Sequence, residues 1–231
     1  MLRKYVYPAL LACLISSVPL AASADGIQIG RSTLTLPDPQ RWAIRNIDTA
    51  NLTYTGDVSG EIALDAKRLV FTANSGAIKA VVVSRVTKGG VAVRMKWANQ
   101  CGKPPTSPFV FQRDRSNAND VDCLFVASVN KPQTFLDSLP QLKKDLDGSI
   151  PSGSILYVVE FSKSIGSGGY AFTQLLISQD FKGLDGITVD HSTQLPTSLL
   201  AWAEEFAKGN RNAVTSFTGN WSIPQMAFAK P

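Results

Sequence analysis

Few residues in this chain could do chemistry, and most sit in patterns that point away from catalysis. His191 is the single histidine, in Val189-Asp190-His191-Ser192. A Ser-His-Asp hydrolase would need it as the base. Neighbouring residues of an extended segment point to opposite faces, so Asp190 cannot orient the imidazole by adjacency. No G-x-S-x-G nucleophile elbow accompanies it. His191 is therefore read as a surface or half-buried histidine ahead of a helix. Cys101 and Cys123 with His191 fall one ligand short of a tetrahedral zinc site. As a pair in an exported chain, the two cysteines are read as a disulfide. A redox role would call for a close C-x-x-C pair, and that spacing is absent. Closing the loop between them is worth about 3 kcal/mol in the chain-entropy account.

Gly166-Ser167-Gly168-Gly169-Tyr170-Ala171 matches G-x-G-x-x-A. A dinucleotide site needs a helix after that motif, and Tyr170-Ala171-Phe172-Thr173 reads as strand. The glycines are assigned to a hairpin turn. The Asn/Asp cluster from Asp114 to Asp122 lacks the glycine and the terminal glutamate of an EF-hand loop, so turn chemistry is favoured over calcium. The glutamates are Glu61, Glu160, Glu204 and Glu205. Glu204 and Glu205 adjoin on a helix and read as a solvated face. Glu160 with Asp180 is the one acid pair left for glycoside-type hydrolysis. No cofactor and no metal are expected. The candidate binding surface is basic: Lys79, Arg85, Arg94 and Lys96 on one face of a hairpin, with Phe109 beyond it. It suits an envelope protein or an anionic surface component. The competing reading is a solvated face whose charges oppose aggregation. Basic residues are dispersed along the chain, which argues against nucleic acid.

The elements that must position these groups begin after a leader. Arg3 and Lys4 precede a mostly apolar run from Val6 to Leu20, and Ala22-Ser23-Ala24 is a small-x-small cleavage signal. That order is a secretory signal peptide over residues 1–24, too short and too Pro-broken for a membrane span. A lipidated Cys13 is the weaker alternative, because apolar sequence continues past it. Cleavage removes Cys13, Arg3 and Lys4 and lowers the net charge from +5 to +3. Residues 25–231 then form one domain, with no transmembrane segment, in the periplasm or outside the cell. Asn51-Leu52-Thr53 and Asn220-Trp221-Ser222 are glycosylation sequons that count only in a eukaryotic host.

Ile27-Gln28-Ile29 and Thr33 to Leu36 alternate as strands. Gly30-x-x-x-Leu34-x-Leu36-Pro37, followed by Trp42, resembles the opening of some exported bacterial proteins of unassigned role. The resemblance stops there and implies no activity. Strands are expected at 41–47, 52–55, 61–64 and 68–72. The sharpest hairpin signal pairs Ile78–Val86 with Val91–Trp97 through Lys88-Gly89-Gly90. Short strands follow at 109–112 and 121–129, and a second hairpin joins 154–162 to 170–179. Phe135, Leu136, Leu139, Leu142 and Leu146 trace a helix face broken by Pro140. Leu199, Ala203, Phe206, Val214 and Phe217 trace a longer C-terminal helix, capped by Thr197 or Ser198 and weakened at Gly209. The fold expected is α+β: an antiparallel sheet of hairpins, one long helix, one shorter Pro-kinked helix and one disulfide. The function expected is an exported binding or interaction protein without catalysis. The alternatives are a periplasmic hydrolase using scattered carboxylates, with or without His191, and an inhibitor of a secreted enzyme.

Overall fold

A computed structural model describes residues 26–46, 50–54, 60–72, 78–89, 101, 109–117, 119–146, 155–178, 195–216 and 219–225. Its centre is a long antiparallel sheet. In spatial order its strands are β3 (Trp42–Asn46), β5 (Gly60–Thr72), β6 (Ile78–Thr87), β10 (Tyr170–Ser178), β9 (Leu156–Ser164), β8 (Val121–Val129) and β7 (Phe109–Asp114). The strand β4 (Ala50–Tyr54) also pairs with β5, opposite residues 60–64, while β3 lies opposite 67–71. The sequence divided β5 at Leu64; it runs unbroken over 13 residues and carries a partner along each half.

The hairpin expected between Ile78–Val86 and Val91–Trp97 is not how β6 pairs. Over residues 80–86 its two edges are taken by β5 and by β10. A strand has only two hydrogen-bonding edges, so none is left there for a third partner. Residues 91–97 lie outside the described part of the chain. The β7–β8 and β9–β10 hairpins do form. The glycine motif turns the latter, and Gly168 takes φ +86° there.

Both faces of the sheet carry apolar layers, which explains why β8 is buried at all nine positions. A strand covered on both sides has no reason to alternate. One face, with Leu69, Val82, Leu124, Val159, Phe161 and Leu175, lies under α3 (Thr197–Thr215) and a small second sheet. In that small sheet β1 (Ile27–Ile29) pairs antiparallel with β2 (Ser32–Thr35), and β11 (Asn220–Ser222) joins β2 in parallel. Trp221 on β11 is buried in the same core. The other face, with Val70, Val81, Val158 and Leu176, meets Leu136, Leu142 and Leu146 of α1 (Pro132–Asp137) and α2 (Pro140–Leu146). Pro140 separates these two helices, because it supplies no N–H to continue the first. Among the described residues no helix is long and apolar enough to cross a membrane.

The long helix does not divide at Gly209, and neither Thr197 nor Ser198 caps it by a side-chain hydrogen bond. Gly209 serves packing instead. A Cβ there would lie 2.9 Å from the carbonyl oxygen of Ser222, against the backbone of β11. Alanine favours a helix over glycine by about 1 kcal/mol. Gly209→Ala is nevertheless expected to lower stability, by about 1 kcal/mol or more, because it pushes α3 off β11. A denaturant midpoint above that of the parent would count against this packing account.

Candidate functional site

The cysteines come together. Cys101 and Cys123 have Cα atoms 5.6 Å apart and form a disulfide. Cys123, Val121 and Phe125 point to the sheet face opposite α3, and Cys101 packs against them there. Backbone register carries that face sideways in two rows. One row runs Arg85, Phe172, Ser162, Cys123 across β6, β10, β9 and β8. The adjoining row runs Val83, Gln174, Glu160, Phe125. The predicted cation Arg85 and the disulfide thus stand at opposite ends of one cross-strand row. Side chains in such a row project the same way from the pleat.

Arg85 is exposed, and its guanidinium carbon sits 5.7 Å from the centre of the Phe172 ring. A cation at that range is held by the ring's negative face. In the neighbouring row Gln174 Nε2 donates to Glu160 Oε1 at 2.6 Å. Burial pushes the Glu160 carboxyl up from its usual range, and the Gln174 hydrogen bond only partly opposes that. Burial also pushes the Tyr170 hydroxyl up to about 12; the charge of Arg85 acts against the rise and that of Glu160 adds to it. A cation laid on an aromatic ring, bordered by an amide and a hydroxyl, can accept a ligand with an acidic group and an adjoining apolar or ring surface.

The remaining members of the predicted surface are spread out. Lys79 lies on β6 at an irregularity, where Phe71 and Thr72 of β5 stand opposite Ala80 and Ile78. Phe109 opens β7 opposite Ser128, at the far edge of the sheet from β5. It is separated from Arg85 by β10, β9 and β8. Arg94 and Lys96 lie outside the described residues, as do His191 and Asp180.

The acids of the Asn-rich turn are occupied. Asp114 Oδ1 accepts from the Ser116 N–H, Asn117 Oδ1 accepts from the Asn119 and Asp120 N–H groups, and Asp120 Oδ1 accepts from Gly166. That is turn chemistry, as the residue types imply. Cys101, Cys123 and Asp114 place ligand-type atoms within 4.8 Å of one another. Sulfurs bonded to each other are not thiolates, so this grouping is not a metal site.

Sequence reasoning missed an ionic cluster that joins α3 to the sheet. Arg211 of α3 donates from Nε to Asp122 Oδ2 at 2.6 Å and from Nη2 to Oδ1 at 3.0 Å. Lys163 and Arg113 also face Asp122, at 3.7 and 3.9 Å. Glu204 is not part of a solvated pair: it reaches Arg113 in an ion pair, while Glu205 is exposed. Arg211 further lies 5.3 Å from the Phe161 ring centre. One signal was available. Asp122 interrupts the apolar run of β8, and a charge in a buried strand requires a partner. The partner itself could not be read, because it stands 89 residues away.

No protein-family model, no curated protein and no solved structure matches the chain.

Proposed function

We propose that the chain is an exported binding protein, a single α+β domain over residues 25–231 that carries out no catalysis of its own. It works in the periplasm or outside the cell after loss of its leader. The Cys101–Cys123 disulfide supports that compartment, since such bonds persist where the surroundings are oxidising. The observation that carries the reading is Arg85, exposed on Phe172 in the row that ends at Cys123. The ligand is an envelope protein or surface component that presents an acidic group beside an apolar or ring surface. A second reading, a hydrolase drawing on Glu160, is supported by the carboxyl's tendency to hold its proton, which a general acid needs.

The test is capture from an envelope extract by the mature protein, with Arg85→Glu and Phe172→Ala in parallel. Reversing the charge should weaken capture of the principal partner about tenfold or more, and removing the ring by a smaller factor. Thermal stability of the two variants, measured alongside, separates loss of binding from loss of fold. Equal capture by all three proteins would remove the Arg85 row from the proposal.

A further inference from the structure

The row that runs Val83, Gln174, Glu160, Phe125 continues beyond β6. Register carries it to Arg68 of β5, opposite Val83, and on to Arg45 of β3, opposite Arg68. Arg85 stands opposite Ala66 of β5, so it is the diagonal neighbour of Arg68. Directly opposed side chains have Cβ atoms about 5 Å apart and diagonal neighbours lie about 7–8 Å apart, both within the reach of arginine. Three guanidinium groups therefore share one end of the sheet face opposite α3. Arg45 and Arg85 are exposed and Arg68 is half-buried. Among the described residues neither Arg45 nor Arg85 forms an ion pair with an acid. The acids of the described strands on this face are Glu160, which accepts from Gln174, and Asp114 at the far edge, which accepts from the Ser116 N–H. Cations on an edge strand oppose aggregation. A second arginine set directly opposite, on an interior strand, does not serve that end and adds a repulsion.

Resting on the reading of Arg85 and Phe172 as a binding surface, we infer that this face recognises a phosphorylated sugar, with its phosphate among Arg45, Arg68 and Arg85 and its ring beside Phe172. Charge selects the phosphate. A phosphate monoester carries about −1.5 to −2 at neutral pH, against a single charge for a carboxylate or a sulfate ester, and guanidinium forks suit its oxygens. An anion held there also offsets the repulsion between Arg45 and Arg68. The neighbours select the sugar. Phe172 offers a ring face, and Ser162 and Gln174, beside it on β9 and β10, offer polar groups to sugar hydroxyls.

Glucose 6-phosphate is the probe, titrated calorimetrically into the mature protein at neutral pH and fixed ionic strength. Glucose 6-sulfate and glucuronate keep the sugar and change the acid, and the phosphate should bind about tenfold more tightly than either. Phenyl phosphate keeps the acid and changes the ring, and should bind several-fold more weakly. Arg45→Gln should lose most of the preference for phosphate. It should nevertheless raise the thermal midpoint of the free protein by about 1 °C, since it removes one of two opposed like charges; an arginine kept for structure would lower it. Arg85→Glu should abolish binding of every probe. Equal affinity for the three glucose acids, an undiminished preference in Arg45→Gln, or phenyl phosphate bound as tightly as glucose 6-phosphate would each overturn the inference. If capture from the envelope extract still depends on Arg85 in that event, the surface stands and only its ligand is wrong. If Arg85→Glu alters neither capture nor probe binding, the surface itself fails. The ranking of probes on the parent protein decides should Arg45→Gln fail to fold.

Discussion

Breaking the disulfide, by Cys101→Ser with Cys123→Ala, is expected to cost about 3 kcal/mol and lower the thermal midpoint by roughly 6–12 °C. The size follows from loop closure, and the bond spans 22 residues of sequence separation. Its place in the topology makes that closure matter. Strand β6 ends at Thr87 and β7 begins at Phe109, yet β10, β9 and β8 lie between them in the sheet. Cys101 belongs to that connection, and its bond fixes it to β8 on one face. Alanine is the better replacement at Cys123, which is fully buried and would otherwise bury a new hydroxyl. Reducing the unmodified protein should reproduce the loss, and the double variant should ignore reductant. Superimposable melts with and without reductant would show that the bond contributes nothing.

Asp122→Asn is expected to be the more damaging change, at about 3–5 kcal/mol. It keeps the shape of the side chain and removes the one charge on which Arg211, Lys163 and Arg113 converge. Three partly buried cations then face a neutral amide. The same reasoning gives a pH dependence. Burial by itself would raise the Asp122 pKa. The Arg211 hydrogen bonds and charge, followed by Lys163 and Arg113, outweigh it and hold the carboxyl below its ordinary value of 3.8. A carboxyl depressed in the folded state contributes stability that is present above the unfolded pKa and lost as pH falls through the folded one. The contribution should therefore be intact at neutral pH, begin to fall near about pH 4, and be lost as pH drops through the depressed folded-state pKa. Urea unfolding of parent and variant at pH 7 and at pH 3 measures this. The gap between them should narrow in acid, and a gap of constant size would assign the effect to packing.

Local signals carried the hairpins and helices well where the partner was near in sequence. The β9–β10 turn was legible in its glycines, the break at Pro140 in the missing N–H, and the buried face of α3 in Leu199, Ala203 and Phe206. The alternating pattern of Val91 to Trp97 misled the pairing of β6, because alternation reports a strand and not its neighbour. β6 pairs across the sheet with β10, about ninety residues on, and nothing in either strand specifies that match. Gly209 read as a weak point in a helix, since the close approach of β11 cannot be seen from within the helix itself.

Of the candidate site, the chain by itself determined the chemistry. It carries Cys101 and Cys123 at a spacing fit for one bond, a lone histidine without a triad pattern, and a dispersed set of basic residues. Those are matters of residue type and spacing, and they narrow function before any fold is known. Only the tertiary structure decided who meets whom. It placed Arg85 on Phe172 and in line with Cys123, and it closed Arg211 of α3 onto Asp122 near the start of β8. Contacts of that kind depend on strand order and register, and those are settled by burial of both sheet faces together rather than by any single segment.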